Sequence, residues 1–407
     1  MKIIVICLMI LYLSTLSYGI FMTGTFRIPA PLLFVCPLIF FFKTRYDGPF
    51  MYTRELILLS VAIFLYYVVG LSDFSGFAAN LMVIVFCAGF FNFFVGKSPM
   101  RFKLSILIFF ILLSFSGLVM VFNHFYVAET NEIREFILGD KVIQTPAGIS
   151  LTQFGFGYHL AALCPFAFVY TCVFKKALLI RLLVLIVCLI FLFLGMQRSV
   201  FVAFVVTAFV FVILYYRLKS IVVMLLLVGT GLLFYNFLLK EHLDVVDNIM
   251  TKNDHNDAQY NRAGLAEENL RIYMDYPYGL IFYGKNWGDV IYRDYVFSSG
   301  ITSHNAYLMF FTYLGPFLGL SLLGAIYYKV SLIFANIVCF IRRPENGMLV
   351  CLSFAFMGIS INALSHNPWL ISADGPTVFL YFSMLHLYKM QSDVVLESTI
   401  EILPSYA

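Results

Sequence analysis

The sequence predicts an all-α polytopic membrane protein of about twelve transmembrane helices. Hydrophobic residues make up 62% of the 407-residue chain, and charged residues make up only 12%. A soluble domain carries about 25% charged residues. The apolar residues also fall in runs close to the ~20 residues that cross a bilayer as a helix. Lipid is therefore the expected solvent for most of the protein surface.

The predicted spans differ in length, and the second is short. They lie at residues 3–22, 28–42, 56–72, 75–96, 104–122, 151–174, 177–196, 199–216, 220–239, 306–328, 348–365 and 375–388. The first run is longer than the apolar core of a signal peptide and lacks an Ala-x-Ala site, so we expect it to be an uncleaved span. The apolar stretch 330–341 is expected to extend the tenth span or to lie at the membrane interface.

Basic residues predict the orientation of the spans. Of the 26 Lys and Arg residues, six lie in the long segment 240–305, and only Arg27, Arg134, Lys141 and Arg198 lie in the short loops on the same side. The other sixteen lie on the opposite side, which the positive-inside rule assigns to the cytoplasm. This pattern predicts that both termini are cytoplasmic and that 240–305 is a large periplasmic loop.

These features divide the chain into four regions. Residues 1–239 form an N-terminal bundle of about nine spans, 240–305 the large loop with short helices, 306–389 three C-terminal spans, and 390–407 a short cytoplasmic tail. The basic residues are scattered without a basic face, so nucleic-acid binding has no support. No Gly-rich phosphate loop occurs, which disfavours cytosolic nucleotide chemistry.

Arg198 lies between two spans, at the predicted outer surface and against the charge trend. Anchoring to lipid headgroups by snorkelling explains it equally well on residue type alone. The functional alternative is a fixed cation for a phosphate, because the planar guanidinium makes bidentate contacts with phosphate oxygens.

Arg262 begins a segment that predicts a helix ended by Pro277. Arg271 follows Glu267 by four residues and Glu268 by three, so a local surface pair explains it. Arg262 has no carboxylate at these spacings. It is therefore either a solvated surface residue or a cation that meets a ligand.

Two histidines occur in the tripeptide Ser-His-Asn, at 303–305 and 365–367. Ser303 is predicted to cap the tenth span, which would place His304 in its first turn. The helix dipole there favours neutral imidazole, the form that accepts a proton. A capping or interfacial role is the equal alternative. His366 follows a helix, where the dipole favours the protonated form, so it is a candidate cation.

No metal or other cofactor is expected. Asp254, His255 and Asp257 cluster, but a polar loop explains them, and no Asp-x-Asp motif occurs. A Ser-His-Asp hydrolase has little support because no Gly-x-Ser-x-Gly elbow is present.

Three motifs of the predicted outer face carry a family resemblance. They are Arg198-Ser199, the run from Arg262 to Pro277 with Gly279 and Gly284, and His304-Asn305-x-Tyr307-Leu308 followed by Tyr313-Leu314-Gly315. In order, spacing and topology the chain resembles the bacterial O-antigen polymerase and O-antigen ligase superfamily, membrane glycosyltransferases that use polyprenyl-pyrophosphate-linked glycans. The first motif departs from the family's Ser-Arg-Gly, since Gln197 precedes Arg198 and Ser199 follows it.

The resemblance implies a reaction on the periplasmic side of the bacterial inner membrane. An acceptor hydroxyl attacks the anomeric carbon of the donor glycan, and the polyprenyl pyrophosphate leaves. Arg198 and Arg262 would stabilise the charge of the leaving group, and His304 would accept the proton. Asn305, His159 and His366 are the further substrate-binding candidates. For His159, packing at the interface is an equal alternative.

The preferred function is a polymerase of O-antigen or a related surface polysaccharide in lipopolysaccharide biosynthesis. The alternative within the same chemistry is the ligase that transfers the glycan to lipid A–core. The alternative from another class is a flippase for the lipid-linked glycan, although transporters typically show repeated halves and interrupted spans. A chain-length regulator and a flippase of the same pathway are the protein partners that the resemblance implies.

Overall fold

In the computed structural model, every regular element that is described is helical. The structure describes residues 2–26, 39–44, 49–126, 128–130, 132, 151–175, 177–195, 197–234, 236, 262–291 and 303–402. Its α-helices are α1 (Lys2–Phe26), α2 (Thr53–Ile63), α3 (Phe74–Gly89), α4 (Pro99–Phe125), α5 (Leu151–Phe174), α6 (Leu178–Leu194), α7 (Arg198–Tyr216), α8 (Ser220–Phe234), α9 (Arg262–Asp275), α10 (Trp287–Ile291), α11 (Ala306–Cys339), α12 (Gly347–Asn362) and α13 (Gly375–Ile402). Helices α2 and α3 continue as π-helices over Phe64–Gly70 and Phe90–Val95.

Within the described ranges, seven helical segments are long and apolar enough to cross a membrane. The prediction of an all-α membrane protein is confirmed at this level. Shorter apolar helices occur at Ile3–Tyr18 and Leu178–Leu194. The predicted span 28–42 lies mostly outside the described residues. The stretch 330–341 extends the tenth span, because α11 continues to Cys339.

The longest apolar segment, Arg198–Leu233, contains 36 residues but is not one straight rod. A straight helix of that length would span about 54 Å, well beyond a hydrocarbon core of about 30 Å. Arg217 interrupts it with a left-handed backbone (φ +52°) and a 3₁₀ turn. Helices α7 and α8 then pack against each other. The break falls between the two spans predicted at 199–216 and 220–239, and α8 is described to Phe234.

Helix α5 lies at the centre of the bundle, in contact with α4, α6, α7 and α12. Pro165 has no N–H, so the carbonyl of Ala161 one turn earlier loses its helical donor. Gly358 of α12 packs here, where an added Cβ would lie 2.6 Å from the Ala161 oxygen and 2.7 Å from Pro165 Cγ. The glycine therefore lets the two helices approach closely, as small residues do in membrane interfaces.

The described part of the large loop, 262–291, forms a layer docked on α11. The Thr312 hydroxyl donates to Asn269 Oδ1 at 2.7 Å, and the Trp287 N–H donates to the Tyr313 hydroxyl at 2.8 Å. Gly279 (φ +98°) lies against Gly315 (φ +72°), where α11 is kinked before Pro316. The predicted helix ended by Pro277 is confirmed as α9, and so is the pair of Arg271 with Glu267 at 2.7 Å.

The antiparallel helices α7 and α12 define two ends of the bundle. At one end, Ser199 in the first turn of α7 bonds to His366, which follows α12. At the other end, Arg342 precedes α12 and donates from Nε to the Tyr215 carbonyl at 2.7 Å, where α7 ends. We call these the His366 end and the Arg342 end. The 19 residues of α7 separate them by about 28 Å.

We predict that Gly315→Ala destabilises the protein. An added Cβ would lie 2.0 Å from the Tyr278 carbonyl oxygen, in a left-handed backbone that L side chains rarely adopt. A strained backbone of this kind costs roughly 1–3 kcal/mol, so the thermal midpoint in detergent should fall by roughly 2–10 °C. The control is Gly324→Ala in the same helix, where the added Cβ meets nothing within 4 Å. Equal midpoints for the two variants would contradict the tight contact.

Candidate functional site

His366 is the centre of a polar cluster at one end of the bundle. Its side chain is only 1% exposed, and its Nε2 lies 2.7 Å from the Ser199 hydroxyl. Its ring lies 4.2 Å from the Tyr158 ring, centroid to centroid. Its backbone carbonyl accepts the N–H of Ala306, the first residue of α11, at 3.0 Å. His366 therefore joins the starts of α7 and α11 to the N-terminal half of α5.

Arg198 is the first residue of α7 and is exposed. Its neighbour Ser199 is held by His366, so the start of the helix is fixed while the guanidinium remains at the surface. The first turn of a helix also carries unsatisfied N–H groups that favour anions. Arg198 and this helix start therefore present positive charge together at the His366 end.

The predicted cap of the tenth span is wrong by two residues. Asn305, not Ser303, is the N-cap of α11, and its Oδ1 accepts the Leu308 N–H at 2.9 Å. His304 therefore lies outside the helix rather than in its first turn, in a left-handed backbone with φ +52°. Ser and Asn are both good caps, so composition does not separate them. Asn305, predicted to bind substrate, has its side-chain oxygen engaged in capping.

His159 follows Tyr158 in α5 but faces different neighbours. Its Nδ1 lies 2.8 Å from the Ser116 hydroxyl of α4, and its ring is 5.4 Å from that of Tyr18 in α1. The side chain is 6% exposed. These contacts tie α5 to α1 and α4, which supports the packing alternative for His159. Tyr158 is the residue of this pair that contacts His366.

Arg262 begins α9, and its side chain lies outside the described part of the chain. Further along the helix, Glu268 and Asn269 are buried, and Asn269 accepts a hydrogen bond from Thr312 of α11. Helix α9 is therefore held rigidly, and Arg262 stands at its N-terminal end.

Three buried polar atoms near the cluster have no hydrogen-bond partner among the described residues. They are Gln197 Nε2, Ser303 Oγ and Asn362 Oδ1. Each belongs to a segment that contributes to the cluster, because Gln197 precedes Ser199, Ser303 precedes Ala306 and Asn362 precedes His366. Buried polar groups are nearly always paired. They are three of nine such atoms among the described residues, so they do not by themselves mark this end as a ligand site.

Sequence reasoning missed the contribution of Tyr158, Ser199 and Gln197 to this cluster. Ser199 and Gln197 flank the predicted Arg198, and Tyr158 precedes the predicted His159. Each missed residue is therefore the direct sequence neighbour of a predicted one. Trp369 was also missed. Its ring packs on those of Tyr307 (4.9 Å) and Phe310 (5.2 Å), which fixes the loop after His366 against α11.

No group of three His, Cys, Asp or Glu side chains in the described ranges is placed to hold a metal ion. The cluster of Asp254, His255 and Asp257 lies outside those ranges. Comparison with protein-family models and with curated proteins finds no match for this chain.

We predict that Ser199 and His366 are energetically coupled. Ser199→Ala and His366→Ala should each lower the thermal midpoint, and the double variant should lose less than the sum. The missing part corresponds to a coupling of about 1 kcal/mol, as expected for a buried hydrogen bond. Ser114→Ala is the control, since its hydroxyl bonds only to the Phe110 carbonyl of its own helix. If Ser199→Ala and His366→Ala were strictly additive, the bond would carry no energy.

Proposed function

We propose that this protein is an integral-membrane glycosyltransferase that polymerises O-antigen or a related surface polysaccharide. The supporting observation is the His366 cluster, which brings together the segments that carry Arg198 and His304. These two segments are more than 100 residues apart in the chain, and each contains a motif of the resemblance. In the proposed topology the chain crosses the inner membrane twelve times, with both termini cytoplasmic and the 240–305 loop in the periplasm.

The donor would be a polyprenyl-pyrophosphate-linked glycan with its lipid in the bilayer. The acceptor hydroxyl attacks the anomeric carbon, and the bond from that carbon to the pyrophosphate oxygen breaks. The electron pair leaves with the polyprenyl pyrophosphate. Negative charge thus grows on the leaving group, where a fixed cation stabilises the transition state more than the ground state.

Arg198 is suited to this charge because it lies exposed at the start of a membrane helix whose N–H groups also favour anions. Arg262 is the second proposed cation. His304 is the proposed acceptor of the proton, because imidazole accepts a proton near neutral pH and His304 directly precedes Asn305, the N-cap of α11. His366 and Ser199 would position the two segments relative to each other.

The proposed topology predicts opposite labelling of two introduced cysteines. Lys285→Cys, in the layer formed by 262–291, should react with a membrane-impermeant maleimide in cells with a permeable outer membrane. Glu345→Cys, exposed at the Arg342 end, should react only after the inner membrane is opened. The unmodified chain supplies the background from its native cysteines. If only Glu345→Cys were labelled while the inner membrane is intact, the orientation would be the reverse of the one proposed.

The glycan profile of a deletion strain tests the function. Rescue with the wild-type gene should restore a ladder of long glycans on lipid A–core, and deletion should leave core with a single repeat unit. Arg198→Ala, Arg262→Ala and His304→Ala should each reduce polymer synthesis on the order of 10²–10³-fold at normal membrane levels. Arg271→Ala is the matched control, because its guanidinium pairs with Glu267 on the surface of the same helix as Arg262.

Two outcomes of this experiment would lead elsewhere. Bare core, with long glycan retained on its lipid carrier, would identify the ligase instead. An unchanged profile in the deletion strain would reject both O-antigen assignments.

A further inference from the structure

A second polar site lies at the Arg342 end, about 28 Å from the His366 cluster along α7. It is a cavity of about 450 Å³ between the α7–α8 turn and the segment before α12. Its lining consists of Tyr215, Tyr216, Arg217, Leu218, Lys219 and Arg342. Three of these six side chains are cations, and none is an acid. The volume falls in the range of about 300–1,000 Å³ that is usual for small-molecule sites.

The walls of the cavity are held by specific contacts. Arg342 donates from Nε to the Tyr215 carbonyl at 2.7 Å. Arg181 of α6 donates from Nη1 to the Tyr216 hydroxyl at 3.2 Å, and its Nε and Nη2 donate to the Lys175 carbonyl. These bonds fix the C-terminal end of α7 from two sides. The cavity is thus a formed feature of the fold.

The charge of the cavity is not neutralised by the described protein. The described ion pairs involve other residues, which are Arg271 with Glu267 and Glu268, and Lys329 with Glu55. No carboxylate of the described residues lies within ion-pair distance of Arg217, Lys219 or Arg342. Arg342 donates to Tyr215 from Nε. Its two terminal amino groups, Nη1 and Nη2, make no hydrogen bond to the described residues. An anion in the cavity would neutralise these cations and accept hydrogen bonds from the terminal amino groups of Arg342.

The backbone of Arg217 supports a ligand role. Its φ of +52° is a conformation that glycine adopts at little cost, whereas a residue with a long side chain is strained. A tight turn alone would be served better by glycine. Arg217 nevertheless occupies this position, and its side chain lines the cavity.

The apolar surroundings distinguish a lipid from a soluble anion. Leu218, inside the turn, is 94% exposed, and Ile221 and Val222 at the start of α8 are 69% and 61% exposed. Side chains of this kind on a membrane helix face acyl chains. A phosphate held by the three cations would thus sit directly above hydrocarbon, as it does in a phospholipid. A free phosphate has no apolar part that could contact these exposed side chains.

We infer that this cavity binds the phosphate headgroup of an anionic phospholipid, with Arg217, Lys219 and Arg342 as its ligands. The lipid would join the α7–α8 hairpin to the segment before α12 at the membrane surface. This inference is independent of the proposed glycosyltransferase function, because the cavity lies at the opposite end of α7 from Arg198.

The test uses the full-length protein purified in a non-ionic detergent. Short-chain phosphatidylglycerol is titrated while the thermal midpoint is followed with a thiol-reactive dye, which reports exposure of buried cysteines such as Cys164 and Cys351. A ligand that binds the folded state raises the midpoint by mass action. We expect phosphatidylglycerol to raise it and phosphatidylcholine at the same concentration to have little effect.

The decisive comparison is between two double variants of equal charge change. Arg217→Gln/Lys219→Gln removes two cavity cations but leaves Arg342 and its bond to α7 intact. Lys43→Gln/Lys103→Gln removes two exposed cations at the same end of the bundle, one from the segment 39–44, which bonds to the start of α4, and one from α4 itself. Each cation near an anionic lipid surface is worth a few-fold in binding, so the cavity variant should bind phosphatidylglycerol roughly tenfold more weakly or worse. The control should stay within about twofold of the wild-type protein.

Three results would overturn the inference. They are equal weakening in both double variants, no response of the wild-type protein to phosphatidylglycerol, and stabilisation by inorganic phosphate equal to that by the lipid. The last result would identify a site for a soluble anion. Native mass spectrometry of the wild-type and cavity variants, both with intact secondary structure by circular dichroism, should show a retained lipid only in the former.

Discussion

The architecture depends on one constraint, which is that hydrocarbon offers no hydrogen bond to the backbone. Helices satisfy their own N–H and C=O groups, so each interruption has to be compensated. The Ala161 carbonyl released by Pro165 lies against Gly358, and the kink at Gly315 is covered by the backbone of Gly279. The break at Arg217 lies between helices at one end of the bundle. Polar chemistry is accordingly concentrated at the two ends.

Helices α7 and α12 connect these two ends. Each contributes one terminus to the His366 cluster and the other to the Arg342 cavity, because the pair is antiparallel. The bond from Arg342 to Tyr215 limits sliding of α7 along the bundle. The bond from His366 to Ser199 does the same at the other end. Since Arg198 precedes Ser199 directly, contacts at both ends of α7 fix the position of its backbone in the bundle.

The sequence predicts more of the fold than of the candidate site, and the reasons are physical. Hydropathy is a local property, so the runs that became α3, α4, α7 and α12 could be located from composition alone. The hairpin break at Arg217 was visible because charge cannot remain at bilayer depth. The choice between Ser303 and Asn305 as cap depends on backbone angles, which residue types do not specify. The contact of Ser199 with His366 spans 167 positions and arises only from packing.

In the proposed glycosyltransferase, the layer formed by 262–291 is the region that can distinguish a polymerase from a ligase. Donor chemistry is the same in both, so the acceptor must be recognised by another surface. The segment after α9 exposes Tyr278 (60%) and Phe282 (64%), while glycine contacts beneath it hold the backbone against α11. Aromatic rings on a rigid support suit stacking on sugars, at little entropic cost. In the proposed reaction, the layer docked on Gly315 would therefore bind the acceptor, and the start of α7 would stabilise the charge of the leaving group.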